Sequence, residues 1–64
     1  MDDAEVVDRL EGYWVVRSRD RRYFLQDEQF SCREGPYIGQ KGWLGYVQRP
    51  SSVVLRFTDR KVTP

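Results

Sequence analysis

The chain contains no histidine and only one cysteine, Cys32, and these two scarcities exclude whole classes of chemistry. A Cys/His zinc site, a Ser-His-Asp or Cys-His catalytic pair and an internal disulfide framework all require residues that are missing. Cys32 alone reads as a small core residue. Long apolar runs are also lacking, since no stretch approaches the ~18 consecutive apolar residues of a membrane helix. The N-terminus is acidic (Asp2, Asp3, Glu5) where a signal or transit peptide would be basic, so the expected location is cytoplasmic, with no membrane partner. The remaining catalytic candidates are tyrosine hydroxyls and carboxylates such as Asp27, Glu28 and Glu34. Paired acids need a substrate cleft, and 64 residues can hardly wall one. The expectation is a protein that is not an enzyme and has no cofactor, no metal and no small-molecule substrate.

Aromatic residues, by contrast, are plentiful at 14% of the 64 positions, which favours an ordered fold despite 33% charged residues. Small domains of this length bury only about 60% of their unfolded surface, so one core and one domain spanning 1–64 are expected. The formal charge of +1 conceals an asymmetry. Residues 1–11 carry five acids against Arg9, a segment charge of −4, which leaves +5 for the rest. Nine of the eleven basic residues are arginine, whose planar group makes bidentate contacts and stacks on rings where lysine offers a point charge.

The acidic segment predicts a short amphipathic helix over 2–11. Asp2 and Glu5 have capping-box spacing, Val6, Val7 and Leu10 form an apolar face, and Gly12 ends it. At about ten residues such a helix is marginal alone and must dock. From 12 to 64 the pattern is strand-rich. Tyr13–Ser18 and Arg22–Gln26 form a predicted hairpin in which Arg17 faces Arg22, Val16 faces Tyr23 and Trp14 faces Leu25. Its second face then carries Tyr13, Val15, Arg17, Arg22, Phe24 and Gln26. A weaker strand, Gln29–Arg33, turns Phe30 and Cys32 inward, and Gly35-Pro36 marks a turn. Trp43–Gln48 and Val53–Phe57 make a second hairpin around Arg49-Pro50-Ser51-Ser52. Both hairpins are apolar on two sides. The predicted fold is therefore mainly β (α+β): a small curled antiparallel sheet or SH3-like barrel of about five strands, with the N-terminal helix covering part of one face.

Two surfaces are candidates for binding. The first is the hairpin tip, where Arg17, Arg19, Arg21 and Arg22 fall within six residues and share a neighbourhood with Tyr13 and Phe24. Rings there could stack on bases while arginines contact phosphates, although a sequence pI of about 7.9 lies below the level of about 9 typical of nucleic-acid domains. The second is the segment from Pro36 to Trp43, which presents Tyr37, Lys41 and Trp43 beside glycines. Gly39-Gln40-Lys41-Gly42 has the spacing of a nucleotide-clamping GxxG loop, but that loop joins two helices and here a strand follows. Nor is Gly35 to Gly42 a phosphate-binding Walker loop, because its spacing is wrong and no Lys-Ser or Lys-Thr follows. The expected function is that of a small non-enzymatic binding protein acting through protein–protein contact, such as a phage- or plasmid-type inhibitor that occludes a host protein's functional surface. The alternative is a nucleic-acid-binding small β-barrel that uses the Arg-rich hairpin.

Overall fold

β-Branched and aromatic residues fill the segments between turns, and these segments pair as strands. The computed structural model describes residues 1–60, so positions 61–64 of the predicted strand-rich part lie outside the described residues. Six strands are present: β1 (Asp2–Leu10), β2 (Tyr13–Ser18), β3 (Arg21–Leu25), β4 (Phe30–Ser31), β5 (Lys41–Arg49) and β6 (Ser52–Thr58). They form one sheet in the order β3-β2-β1-β5-β6-β4. The sole helical element among the described residues is a 3-10 turn at Asp27–Gln29, so no helix there is long and apolar enough to cross a membrane.

The predicted acidic helix over 2–11 is instead the strand β1. As a strand this segment pairs on both sides, Glu5 with Arg17 and Val6 with Val16 of β2, and Asp2 with Leu44 and Ala4 with Gly42 of β5. Alternation buries Ala4 and Val6 while Asp3 stays exposed. An isolated ten-residue helix would leave those neighbours unpaired and gain little for itself. The β-branched Val6 and Val7 add to the strand preference. A bulge between Val6 and Asp8 shifts the register by one residue and brings Arg9 opposite Trp14.

The chain is mainly β as expected, but the small curled antiparallel sheet or SH3-like barrel of about five strands is corrected to an open sheet of six. The sheet is mixed and is not closed, because β4 pairs in parallel with β6 through Phe30–Phe57 and Ser31–Thr58, whereas β3 has only β2 as a neighbour. The segment Gln26–Gln29 joins β3 to β4 across the two ends of the sheet order, and Gln29 donates to the Leu55 carbonyl of β6, beside which β4 then runs.

Both hairpins keep their expected registers: Arg17 faces Arg22, Val16 faces Tyr23, Leu44 faces Phe57 and Tyr46 faces Leu55. The second turn is tighter than expected, since Arg49 pairs with Ser52 and only Pro50-Ser51 remain outside the ladder. The concave face holds the core of Ala4, Val6, Val16, Leu25, Leu44 and Phe57, with Trp14, Tyr23, Phe30, Cys32 and Leu55 packed against it. The Phe30 ring lies 5.3 Å from Phe57 and 6.3 Å from Trp14, which closes one end. The fully buried Val6, Val16, Leu25 and Phe57 each contribute about 1.5–3 kcal/mol by leaving water.

The long connection from β4 to β5 is pinned to β1. The Gly39 amide donates to the Val6 carbonyl (2.7 Å) and the Val6 amide donates to the Gln40 carbonyl (2.9 Å). Gly39 reaches this position with φ 93°, a backbone conformation that disfavours residues bearing a Cβ. The buried Gln40 side chain accepts from the Tyr37 amide and donates to the Glu34 carbonyl. This fixes where Tyr37 and Lys41 enter the surface.

Candidate functional site

Cross-strand pairing sets the geometry of the convex face, because residues opposite one another in a ladder point the same way. One row crosses four strands: Lys41 of β5, Glu5 of β1, Arg17 of β2 and Arg22 of β3. A single carboxylate thus stands among three cations, and Glu5 pairs with Arg17 at 3.7 Å. The apparent like-charge clash of Arg17 with Arg22 is offset from the other side. Asp2 holds Arg19 at 3.1 Å in the same way, with Arg19 at φ 61° in the turn. The acidic and basic ends of the sequence are therefore not separate patches but neighbouring strands. Among the described residues Arg21 and Arg22 make no ion pair.

Next to this row lies an apolar area. Val15 is opposite Phe24, and Leu10 is opposite Tyr13. Val15 is buried, yet Phe24 is 57% exposed, Tyr13 43% and Leu10 42%. These side chains stand on paired strands rather than a loop, with the guanidinium-bearing Arg17 and Arg22 in the adjoining row. Periodicity alone puts Leu10 on the buried face of a helix, and only the strand pairing with Tyr13 turns it outward.

The second expected surface divides. Trp43 is a half-buried strand residue of β5 opposite Asp3, not a loop residue. With Lys41 it joins Arg17 and Arg19 along an open groove of about 560 Å³, whose walls also carry Asp3, Glu5 and Asp59. Three bases against three acids leave that groove without net charge. Tyr37 stays apart from Trp43, exposed in the β4–β5 connection, where with Lys41 it borders a smaller hollow. Ile38 beside it is also exposed and does not close the core.

Another cluster ties the turn Asp27–Gln29 to the sheet. Trp14 Nε1 donates to Asp27 Oδ1 (2.8 Å), Arg9 donates to the same oxygen (3.3 Å), and the Arg9 guanidinium lies 4.5 Å from the Trp14 ring centroid. No sequence signal marks this triad, because Arg9 reads as part of a helix and Asp27 as part of a connection. Cys32 is half-buried against the core; burial pushes its thiol pKa up, the Asp59 charge adds to this, and a hydrogen bond with Gln40 opposes it. That environment suppresses the thiolate, the reactive form. Comparison with protein-family models, with curated proteins and with solved structures finds no match.

Proposed function

We propose that the protein is a non-enzymatic binding protein that acts through protein–protein contact, with the convex face of β1–β3 as its interface. The observation that carries this reading is the exposure of Leu10, Tyr13 and Phe24 side by side on a rigid sheet, next to Arg22. Aromatic side chains and arginine are the preferred anchors of protein interfaces, and a preformed sheet presents them at little ordering cost. Its action would be occlusion, in the manner of a phage- or plasmid-type inhibitor covering a host protein's functional surface. The cytoplasm is the compartment proposed, where a lone thiol such as Cys32 remains reduced.

Direct nucleic-acid binding is the second reading, favoured by Arg21 and Arg22, which lack carboxylate partners among the described residues, and by Phe24 on the face of Arg22. It is weakened by Asp2, Asp3, Glu5 and Asp59, which place carboxylates along the path a phosphate backbone would follow. Affinity capture from lysate, with and without nuclease, separates the two readings. Protein contact predicts a nuclease-resistant partner that the Tyr13→Ala/Phe24→Ala variant loses while its circular dichroism stays native. Capture abolished by nuclease, or retained in full by the variant, would refute it.

A further inference from the structure

We infer that the outer edge of β3 accepts an extended acidic segment of the partner protein as an added strand. This rests on the reading of the β1–β3 face as a protein interface and specifies what that interface recognises. β3 ends the sheet, and among the described residues no backbone group of Arg21–Leu25 makes a hydrogen bond outside its pairing with β2. Its outward-pointing amides and carbonyls form a ready template for another strand.

Charge decides the occupant. Of the four arginines around the turn, Arg17 and Arg19 are matched by Glu5 and Asp2, whereas Arg21 and Arg22 have no carboxylate partner among the described residues. Both unmatched cations lie on the free strand. Strand alternation puts Arg22 and Phe24 on the convex face and Arg21 and Tyr23 on the concave one. A strand lying beside β3 therefore meets a cation and an exposed ring two residues apart on its convex side. It also meets a second cation on the other side. The complementary segment alternates acids with apolar residues, so that an acid faces Arg22 while an apolar side chain packs on Phe24.

The probe is a fluorescein-labelled octapeptide alternating glutamate and valine, titrated with the 64-residue chain in fluorescence anisotropy. Controls are the same peptide with lysine for glutamate, the same peptide N-methylated along one backbone edge, and an oligothymidine. The glutamate–valine peptide is expected to bind and to protect from hydrogen exchange those amides of β3 that do not donate to β2. Arg22→Glu is expected to weaken it by about tenfold or more, the scale of one charged hydrogen bond, with circular dichroism unchanged. Equal binding of the N-methylated peptide would remove strand addition, and binding of oligothymidine in preference to the peptide would assign the edge to nucleic acid. Absence of peptide binding also overturns the inference. Its failure is separable from failure of the interface itself: if Arg21→Glu/Arg22→Glu captures the lysate partner as well as wild type while Tyr13→Ala/Phe24→Ala does not, the face stands and the edge falls.

Discussion

Gly42 is where the close packing of this sheet is most exposed to test. It is buried in β5, opposite Ala4 of β1, and a Cβ added there would run into the Thr58 carbonyl oxygen and lie 2.7 Å from Phe57 Cζ. Carbon pairs pack best at about 3.5–4.0 Å, so the ring would have to retreat by about 1 Å. It has no space to do so, being fully buried with the Phe30 ring 5.3 Å away. The clash with backbone is worse, because Thr58 is held in the ladder by its pairing with Trp43. Overpacking of this kind costs about 1–3 kcal/mol, and the backbone clash places Gly42→Ala at about 3 kcal/mol. A domain of this size has about 3–10 kcal/mol in total, so much of the stability is at stake. Gly45→Ala is the matched control on the same strand. Its Cβ meets Met1 Cγ at 3.1 Å, and that exposed, unbranched side chain can swing away. Equilibrium urea denaturation followed by tryptophan fluorescence is the assay, with Gly45→Ala expected within about 0.5 kcal/mol of wild type. A Gly42→Ala midpoint equally close to wild type would refute the reasoning, as would equal losses in both variants, which would implicate glycine content and not the Phe57 contact.

Two further outcomes concern Trp14 and Cys32, which pack against the core. Trp14→Phe keeps a ring in the core but removes the hydrogen bond to Asp27 and weakens the stacking of Arg9, and should cost about 1–2 kcal/mol in the same denaturation experiment. An unchanged midpoint would mean that the 3-10 turn is held without this triad. For Cys32, the folded thiol has a pKa above its ordinary value of 9.0, so the folded state keeps a proton that the unfolded chain gives up. The stability it contributes is intact below about pH 9 and falls as pH rises through the folded pKa. Cys32→Ala should therefore flatten that alkaline decline, and a disulfide-exchange reagent should label wild type at pH 8 more slowly than the urea-unfolded chain. Equal labelling rates would show that the thiol is not shielded.

Much of the sheet is legible in the residues. The aromatic and β-branched segments Tyr13–Ser18 and Trp43–Gln48 mark the strands, and the short turns that follow them set both hairpin registers, because loop length fixes which residues pair. Phe30 and Cys32 turn inward as their alternation implies. The N-terminal segment misleads for a physical reason. Val6, Val7 and Leu10 fit a helical face, and Asp2, Glu5 and Arg9 fit helix-stabilising spacings, yet the same residues fit a strand once Arg17 and Arg19 are near. Local pattern could not choose, since the deciding energy lies in pairing with β2 and β5 on either side.

The candidate surface divides along the same line. Composition alone established that Cys/His metal sites and histidine-dependent catalysis are closed to this chain, because the required side chains are not present. Residue order also supplied four arginines within one hairpin, with the rings of Tyr13 and Phe24 on the face of Arg17 and Arg22. Which of those arginines are already matched depended on where the acids settle, and that is a long-range property. Tertiary structure placed the acidic segment beside the Arg-rich strand, matched Arg17 and Arg19, left Arg21 and Arg22 on an open edge, and turned Leu10 outward next to Tyr13. Residue types determine which interactions are available, but charges distant in sequence cancel only when pairing brings them within a few ångströms.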